Sequence, residues 1–265
     1  MTARVAAVAL ICLCAAPSFA QSEESGAAEM STVIVPVVGS IDGINAVHWK
    51  TDVVLRNDLG TEVEVALILP AAPDQPAILT SIPPGESLRF TDVVGEAFGL
   101  PAAISPLVVQ TRGRRSVTVM ASAYAVRGTD SSRPQPIGVS YGDPGYAPLR
   151  VLHGLSFSES FRTNIGLVNL GEKEARFTLA LQRIPGRNLA LASVSLPPSS
   201  IRHTSIQSIF PLIPSGGGFS VLVESSAPST YAYASVIENE TNAARFVQPS
   251  FAPVIEQRQQ QVAGK

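Results

Sequence analysis

Apolar and polar residues alternate along most of the chain. Val63, Val65, Leu67 and Leu69 interleave with Glu62, Glu64, Ala66 and Ile68, and Phe177, Leu179 and Leu181 repeat the pattern further on. A period of two puts one face of a strand on a core and the other toward water. Strand-like runs cover 32–38, 49–57, 61–69, 76–82, 86–91, 104–111 and 116–126, and again 146–153, 161–169, 174–184, 188–196, 200–204, 218–224 and 229–238. Turn residues separate them: Asn57-Asp58-Leu59-Gly60, Pro83-Pro84-Gly85, Arg112-Gly113-Arg114, Ser215-Gly216-Gly217 and Ala227-Pro228-Ser229. Only two short helices are predicted, Asp92 to Phe98, with Asp92 as cap, and Ser205 to Phe210.

The two sets of strands correspond. Trp49-Lys50-Thr51-Asp52-Val53-Val54-Leu55-Arg56-Asn57-Asp58-Leu59-Gly60 returns as Phe161-Arg162-Thr163-Asn164-Ile165-Gly166-Leu167-Val168-Asn169-Leu170-Gly171. Ile82-Pro83-Pro84-Gly85 returns as Leu196-Pro197-Pro198-Ser199, and Ala97-Phe98-Gly99-Leu100 as Ile209-Phe210-Pro211-Leu212. The offset stays between 111 and 114 residues. A solenoid repeats every ~20–50 residues, so this period means two domain-sized copies. About seven short strands per copy predict an all-β chain of two tandem immunoglobulin-like β-sandwich domains produced by internal duplication. Residues 162–169, 197–198 and 232–234 carry an Arg-Thr-Asn opening, a Pro-Pro pair and an Ala-x-Ala strand. In these the chain resembles repeats of uncharacterised bacterial secreted proteins, a resemblance that brings no activity with it.

The N-terminus breaks the strand pattern. Arg4 precedes an apolar run from Val5 to Ala16, and Ser18 and Ala20 satisfy the small-x-small rule for cleavage after Ala20. The expected organisation is a signal peptide at 1–20, a flexible segment at 21–30, repeat 1 at 31–142, repeat 2 at 143–254 and a disordered tail at 255–265. Export to the periplasm or the extracellular space follows. Cys12 and Cys14 both fall in the signal, so the processed chain holds no disulfide and no cysteine nucleophile. No apolar run reaches the roughly 18–20 residues that span a bilayer. A net charge of -2 argues against a nucleic-acid binder.

Candidate chemistry is sparse. His48, His153 and His203 show no metal-binding spacing, and no phosphate loop or calcium loop occurs. Gly39-Ser40-Ile41-Asp42-Gly43 resembles a serine elbow only superficially, and no base for Ser40 is evident nearby. No cofactor is expected. The shared Thr51/Thr163 and Asn57/Asn169 are read as residues that fix turns. Trp49 and Phe161 are read as core residues. A binding site is expected where the copies differ: at the Arg112, Arg114 and Arg115 hairpin tip, and at the turn flanked by Tyr141 and Tyr146. These readings favour an exported, non-enzymatic protein that binds another macromolecule, protein or glycan, or builds the envelope or matrix. Two alternatives stay open: a two-domain periplasmic chaperone, and a carbohydrate-binding module or hydrolase with an inter-domain cleft.

Overall fold

A computed structural model describes residues 30–44, 46–113, 117–142, 149–184 and 187–251. The signal segment, the tail, Arg114, Arg115 and Tyr146 lie outside the described residues.

The fold is nearly all antiparallel β. The first set of strands is β1 (Met30–Asp42), β2 (His48–Arg56), β3 (Val63–Ile68), β4 (Ile78–Ile82), β5 (Ser87–Phe90), β6 (Ala103–Arg112), β7 (Thr118–Arg127), β8 (Asp130–Ser131), β9 (Gln135–Ile137) and β10 (Ser140–Tyr141). The second is β11 (Leu149–Phe157), β12 (Phe161–Asn169), β13 (Ala175–Ile184), β14 (Arg187–Leu196), β15 (Ser200–Ser205), β16 (Gly216–Ser225), β17 (Thr230–Glu238), β18 (Ala244–Val247) and β19 (Ser250–Phe251). The predicted alternation holds: Val63, Val65 and Leu67 are buried while Glu64 is exposed.

Pairing follows one plan twice. The order β4-β3-β6-β1-β10 in the first set matches β14-β13-β16-β11-β19 in the second. Facing them, β5-β2-β7-β9 matches β15-β12-β17-β18. The strand β1 serves both layers of its set: Met30 to Ser40 pair with β6, then Ile41 and Asp42 pair with β2. Between Val35 and Val38 its register shifts at a bulge containing Pro36, and Pro106 of β6 lies opposite. Both prolines therefore sit where a missing N–H costs the ladder nothing.

Each pair of layers encloses an apolar core. Val33, Val35, Val53, Leu55, Leu67, Leu107 and Val109 fill the first. Leu152, Ile165, Leu167, Phe177, Leu179, Phe219 and Val221 fill the second. The two predicted helices are single turns, Val93–Ala97 of π type and an α-helix, α1, at Ile206–Ile209. They are capped alike. Asp92 accepts from the Gly95 amide at 3.2 Å, and Ser205 accepts from the Ser208 amide at 3.2 Å. The short strands β8, β9, β10, β18 and β19 carry too few residues to show an alternation, which is why the sequence pattern passes over them.

Shared polar residues do the same work in both sets. Thr51 Oγ accepts from the Gly39 amide at 3.0 Å and donates to its carbonyl at 3.2 Å. Thr163 does so with Ser156, at 3.3 and 2.6 Å. Trp49 and Phe161 depart from the expected core placement: Trp49 is only partly buried, packed on Gly43, and Phe161 is 38% exposed. Alternation aims both side chains inward, but they stand at the strand ends, before the first fully buried positions, Thr51 and Thr163.

The chain crosses from the first set to the second between Tyr141 and Leu149. The outer face of the β15-β12-β17-β18 sheet is apolar and covered. Val168, Tyr231 and Tyr233 pack there with Ile201, Phe246 and Val37, the last from β1. The Tyr233 ring stacks on His203 and on Phe246, with centroids 5.8 and 5.2 Å away, and its hydroxyl lies 2.9 Å from His203 Nδ1. Burial pushes the His203 imidazole down to about 4. The folded value lies below the unfolded one. The native state therefore binds fewer protons, and stability falls as pH drops from about 6.5 toward 4. His203 keeps some solvent contact, which trims the effect to about 1–2 kcal/mol. The expected result is a loss of that size in urea unfolding between pH 7 and pH 4.5, reduced in His203→Gln. A His203→Gln variant with an unchanged pH slope would refute it.

Candidate functional site

The chemically densest place lies where the β1–β2 hairpin meets the turn at Val93–Ala97. Thr51, Val53 and Leu55 face the core, so Lys50 and Asp52 face outward from β2. Tyr124 stands directly opposite Lys50 on β7. Asp52 is held on three sides. Arg89 Nη2 donates to its Oδ2 at 2.7 Å, and the Asp92 amide and the Tyr124 hydroxyl donate to its Oδ1 at 3.1 and 3.0 Å. Burial alone drives the Asp52 carboxyl up, but these hydrogen bonds and the Arg89 charge outweigh it and hold it below the ordinary range. Burial, and then the bond to Asp52, pushes Tyr124 up to about 12.

Asp92 links this group to the hairpin. It adopts left-handed φ of 44°, a conformation its short polar side chain tolerates when it can bond locally. Lys50 Nζ lies 3.2 Å from its Oδ2 and 3.8 Å from Glu96 Oε1. Ser40 Oγ donates to the same Oδ2 at 3.1 Å. His48 completes the chain, with Nε2 2.9 Å from Ser40 Oγ and Nδ1 2.7 Å from Asp42 Oδ1. The hairpin thus sets an imidazole against the Ser40 hydroxyl, a contact that the spacing of the two residues along the chain does not show. The register Asp42↔His48 creates it, bringing Asp42 and Ser40 back beside a residue six to eight positions downstream.

Three atoms in Ser–His–Asp order invite comparison with a nucleophilic relay. The geometry opposes attack. Ser40 is 1% exposed, and its hydroxyl proton points to Asp92 rather than to the imidazole. A Cβ at Gly95 would stand 2.7 Å from Ser40 Oγ, so the turn backbone covers the hydroxyl closely. The Asp42 side chain is 92% exposed, unlike the buried carboxylate that orients a catalytic imidazole. In this state the network pins the turn to the hairpin.

The candidates expected from sequence lie elsewhere. Arg112 ends β6 on the outer face of the first sheet, its guanidinium 3.8 Å from Glu64 Oε2. It lines a shallow hollow of about 320 Å³ with Met30, Glu64, Ala66, Leu79 and Gln110. Tyr141 is 58% exposed in β10, opposite the inward residue Val33. Directly opposed residues share a face, so Tyr141 and Arg112 belong to opposite faces and do not form one site. Among the described residues, no group of three or more His, Cys, Asp or Glu is placed to hold a metal. No described helix is long and apolar enough to cross a membrane.

No protein-family model and no curated protein matches the chain. Solved structures similar to part of it include Bacteroides uniformis beta-glucuronidase 2 covalently bound to cyclophellitol-6-carboxylate aziridine, at 11% identity over 77% of this chain and TM-score 0.17. A calcium-binding mutant of the same enzyme shares 10% identity over 80% of this chain, also at TM-score 0.17. The matched regions span 26% and 27% of those chains. At this TM-score the likeness carries neither a fold nor an activity to the present protein.

Proposed function

We propose that this is an exported, non-enzymatic component of the bacterial envelope or extracellular matrix, built from two tandem immunoglobulin-like sandwiches, that binds another macromolecule, protein or glycan. The repeated strand order and the matching threonine and asparagine bonds support a duplication. In an immunoglobulin constant domain the first strand joins the second and the seventh joins the sixth. Here the seventh strand lies beside the second in both copies, and the first lies beside the sixth, although in the first copy its last two residues also pair with the second. The signal-like segment at 1–20 supports export.

One observation carries the binding reading. Arg112, picked out because the copies differ there, rims the hollow on the outer sheet face. Its mixed lining, apolar at Met30, Ala66 and Leu79 and polar at Glu64, Gln110 and Arg112, suits a protruding side chain or a sugar unit of a larger partner. Replacing Arg112, Arg114 and Arg115 with serine is expected to change stability by no more than about 0.5 kcal/mol. It is also expected to reduce capture of an acidic partner from envelope extract several-fold, most strongly at low salt. Identical partner lists for wild type and variant would eliminate the tip and leave the turn after Tyr141.

The order of the Ser40–His48–Asp42 chain is what a second reading, a hydrolase, rests on, and that reading requires the turn to release the Ser40 hydroxyl from Asp92 and Gly95. A fluorophosphonate probe separates the two. The binding reading expects no labelling. Stoichiometric labelling that disappears in Ser40→Ala would establish the hydrolase instead.

A further inference from the structure

The outer faces of two matching sheets differ in chemistry. Gly166 of β12 has Tyr233 and His203 directly opposite on its two neighbours. Its counterpart Val54, likewise three residues before the shared asparagine, has Met120 and Arg89 there. Val168 on the second face answers to Arg56 on the first. The first face is one that water can cover: Met120 is 52% exposed and the Arg89 side chain 67%. The second face is aromatic, and its Tyr231 and Tyr233 are buried.

What covers the second face is the first half of the chain. The strand β17 packs on β1, β15 on β6 and β18 on β9. Val37 of the first half and Phe246 of the second each pack against the first core and against the Val168–Tyr231–Tyr233 cluster. Gln248 lies so close to Gly138 that a Cβ at that glycine would stand 1.2 Å from its Nε2.

We infer that the two halves work as one rigid body, and that the second half depends on the first for its folding through this joint. Domains in one chain move relative to each other by default, unless the interface between them is apolar and closely fitted. Here side chains from both halves fill it. The dependence runs one way. Parted from the first half, the second would expose a contiguous patch of Val168, Tyr231, Tyr233, Ile201 and Phe246, which water covers poorly. The first half keeps its own core and its polar outer face. The joint also fixes the place of the Arg112 hollow, because β6 carries Gln110 and Arg112 to the hollow and packs on β15 as well. The inference needs no partner for that hollow, so either reading stands if the other fails.

The test uses the full chain and reads each half separately in a urea series. Trp49 is the single tryptophan, so its fluorescence reports the first half. Hydrogen exchange of the β12 and β17 amides reports the second. Wild type is expected to lose both signals at the same urea concentration. Leu55→Ala empties part of the first core, away from the joint. It is expected to lower both midpoints together. Val37→Asp places a charge in the joint and is expected to split the transition, with β12 and β17 losing protection at lower urea than Trp49. Gly138→Val displaces Gln248 and touches neither core; it is expected to split the transition in the same direction, and reports if Val37→Asp does not fold. A Leu55→Ala chain in which only the Trp49 midpoint moves overturns the inference. So do wild-type midpoints that differ, or joint variants whose midpoints stay together.

Discussion

Asn169→Ala is expected to destabilise the fold by about 3–4 kcal/mol, and Asn57→Ala by nearly as much. Both asparagines are fully buried at strand ends. Asn169 Nδ2 lies 2.8, 3.2 and 2.9 Å from the carbonyls of Lys173, Leu196 and Pro197, and Oδ1 accepts from the Gly171 amide at 3.0 Å. Asn57 donates to the carbonyls of Thr61 and Ile82, both at 2.8 Å, and accepts from the Leu59 amide at 2.9 Å. Each side chain therefore ties its own turn to the end of a distant strand. Alanine leaves several main-chain groups unpaired away from water, at roughly 1–3 kcal/mol for each group that water cannot reach. Urea unfolding of both variants measures this. A loss below 1 kcal/mol in both would mean that water replaces the amide, and the structural reading of the repeated asparagines would fall. Should Asn169→Ala not fold, Asn57→Ala, with fewer bonds at stake, still reports.

Gly166→Ala is expected to cost about 3 kcal/mol, at the upper end for overpacking. Tyr233 lies flat across this glycine from the neighbouring strand. A Cβ at 166 would stand 2.0 Å from the ring's Cε1 and Cζ. The ring cannot slide aside easily, because His203 and Phe246 stack beside it and its hydroxyl reaches His203. The cost is one of contact, so it should vanish when the ring is removed. Tyr233→Ala is destabilising by itself, and adding Gly166→Ala to it is expected to cost less than 1 kcal/mol more. A double-mutant cycle measures the coupling. Additive losses would show that the ring does not cover Gly166.

Much of this architecture was legible because its causes are local. Alternation in β3 and β13 sets which residues face inward. The Pro-Pro turns and the asparagine-glycine segments mark where strands stop. Asp92 caps its turn from within its own neighbourhood. Thr51 and Asn57 could be read as fold residues because each recurs in the second set, Asn57 beside the turn that it holds. Alternation says less about strand ends. Trp49 and Phe161 have the right parity for the core and yet remain partly exposed. Ser40 and His48 were separately visible but not joined, because only the hairpin register between them puts the imidazole against the hydroxyl.

The sequence by itself determined the all-β class, the two matching sets of strands, the turn positions and the residues that hold those turns. Each depends on periods and spacings within a few residues. The tertiary structure alone decided which surfaces are covered. One strand face looks like another in sequence, and burial depends on what a distant segment brings against it. That is why Val168, Tyr231 and Tyr233 are packed with Val37 and Phe246 while Leu191 is left at an open edge. It is also why the hydroxyl of Ser40 is shut in by Asp92 and Gly95, residues more than fifty positions away.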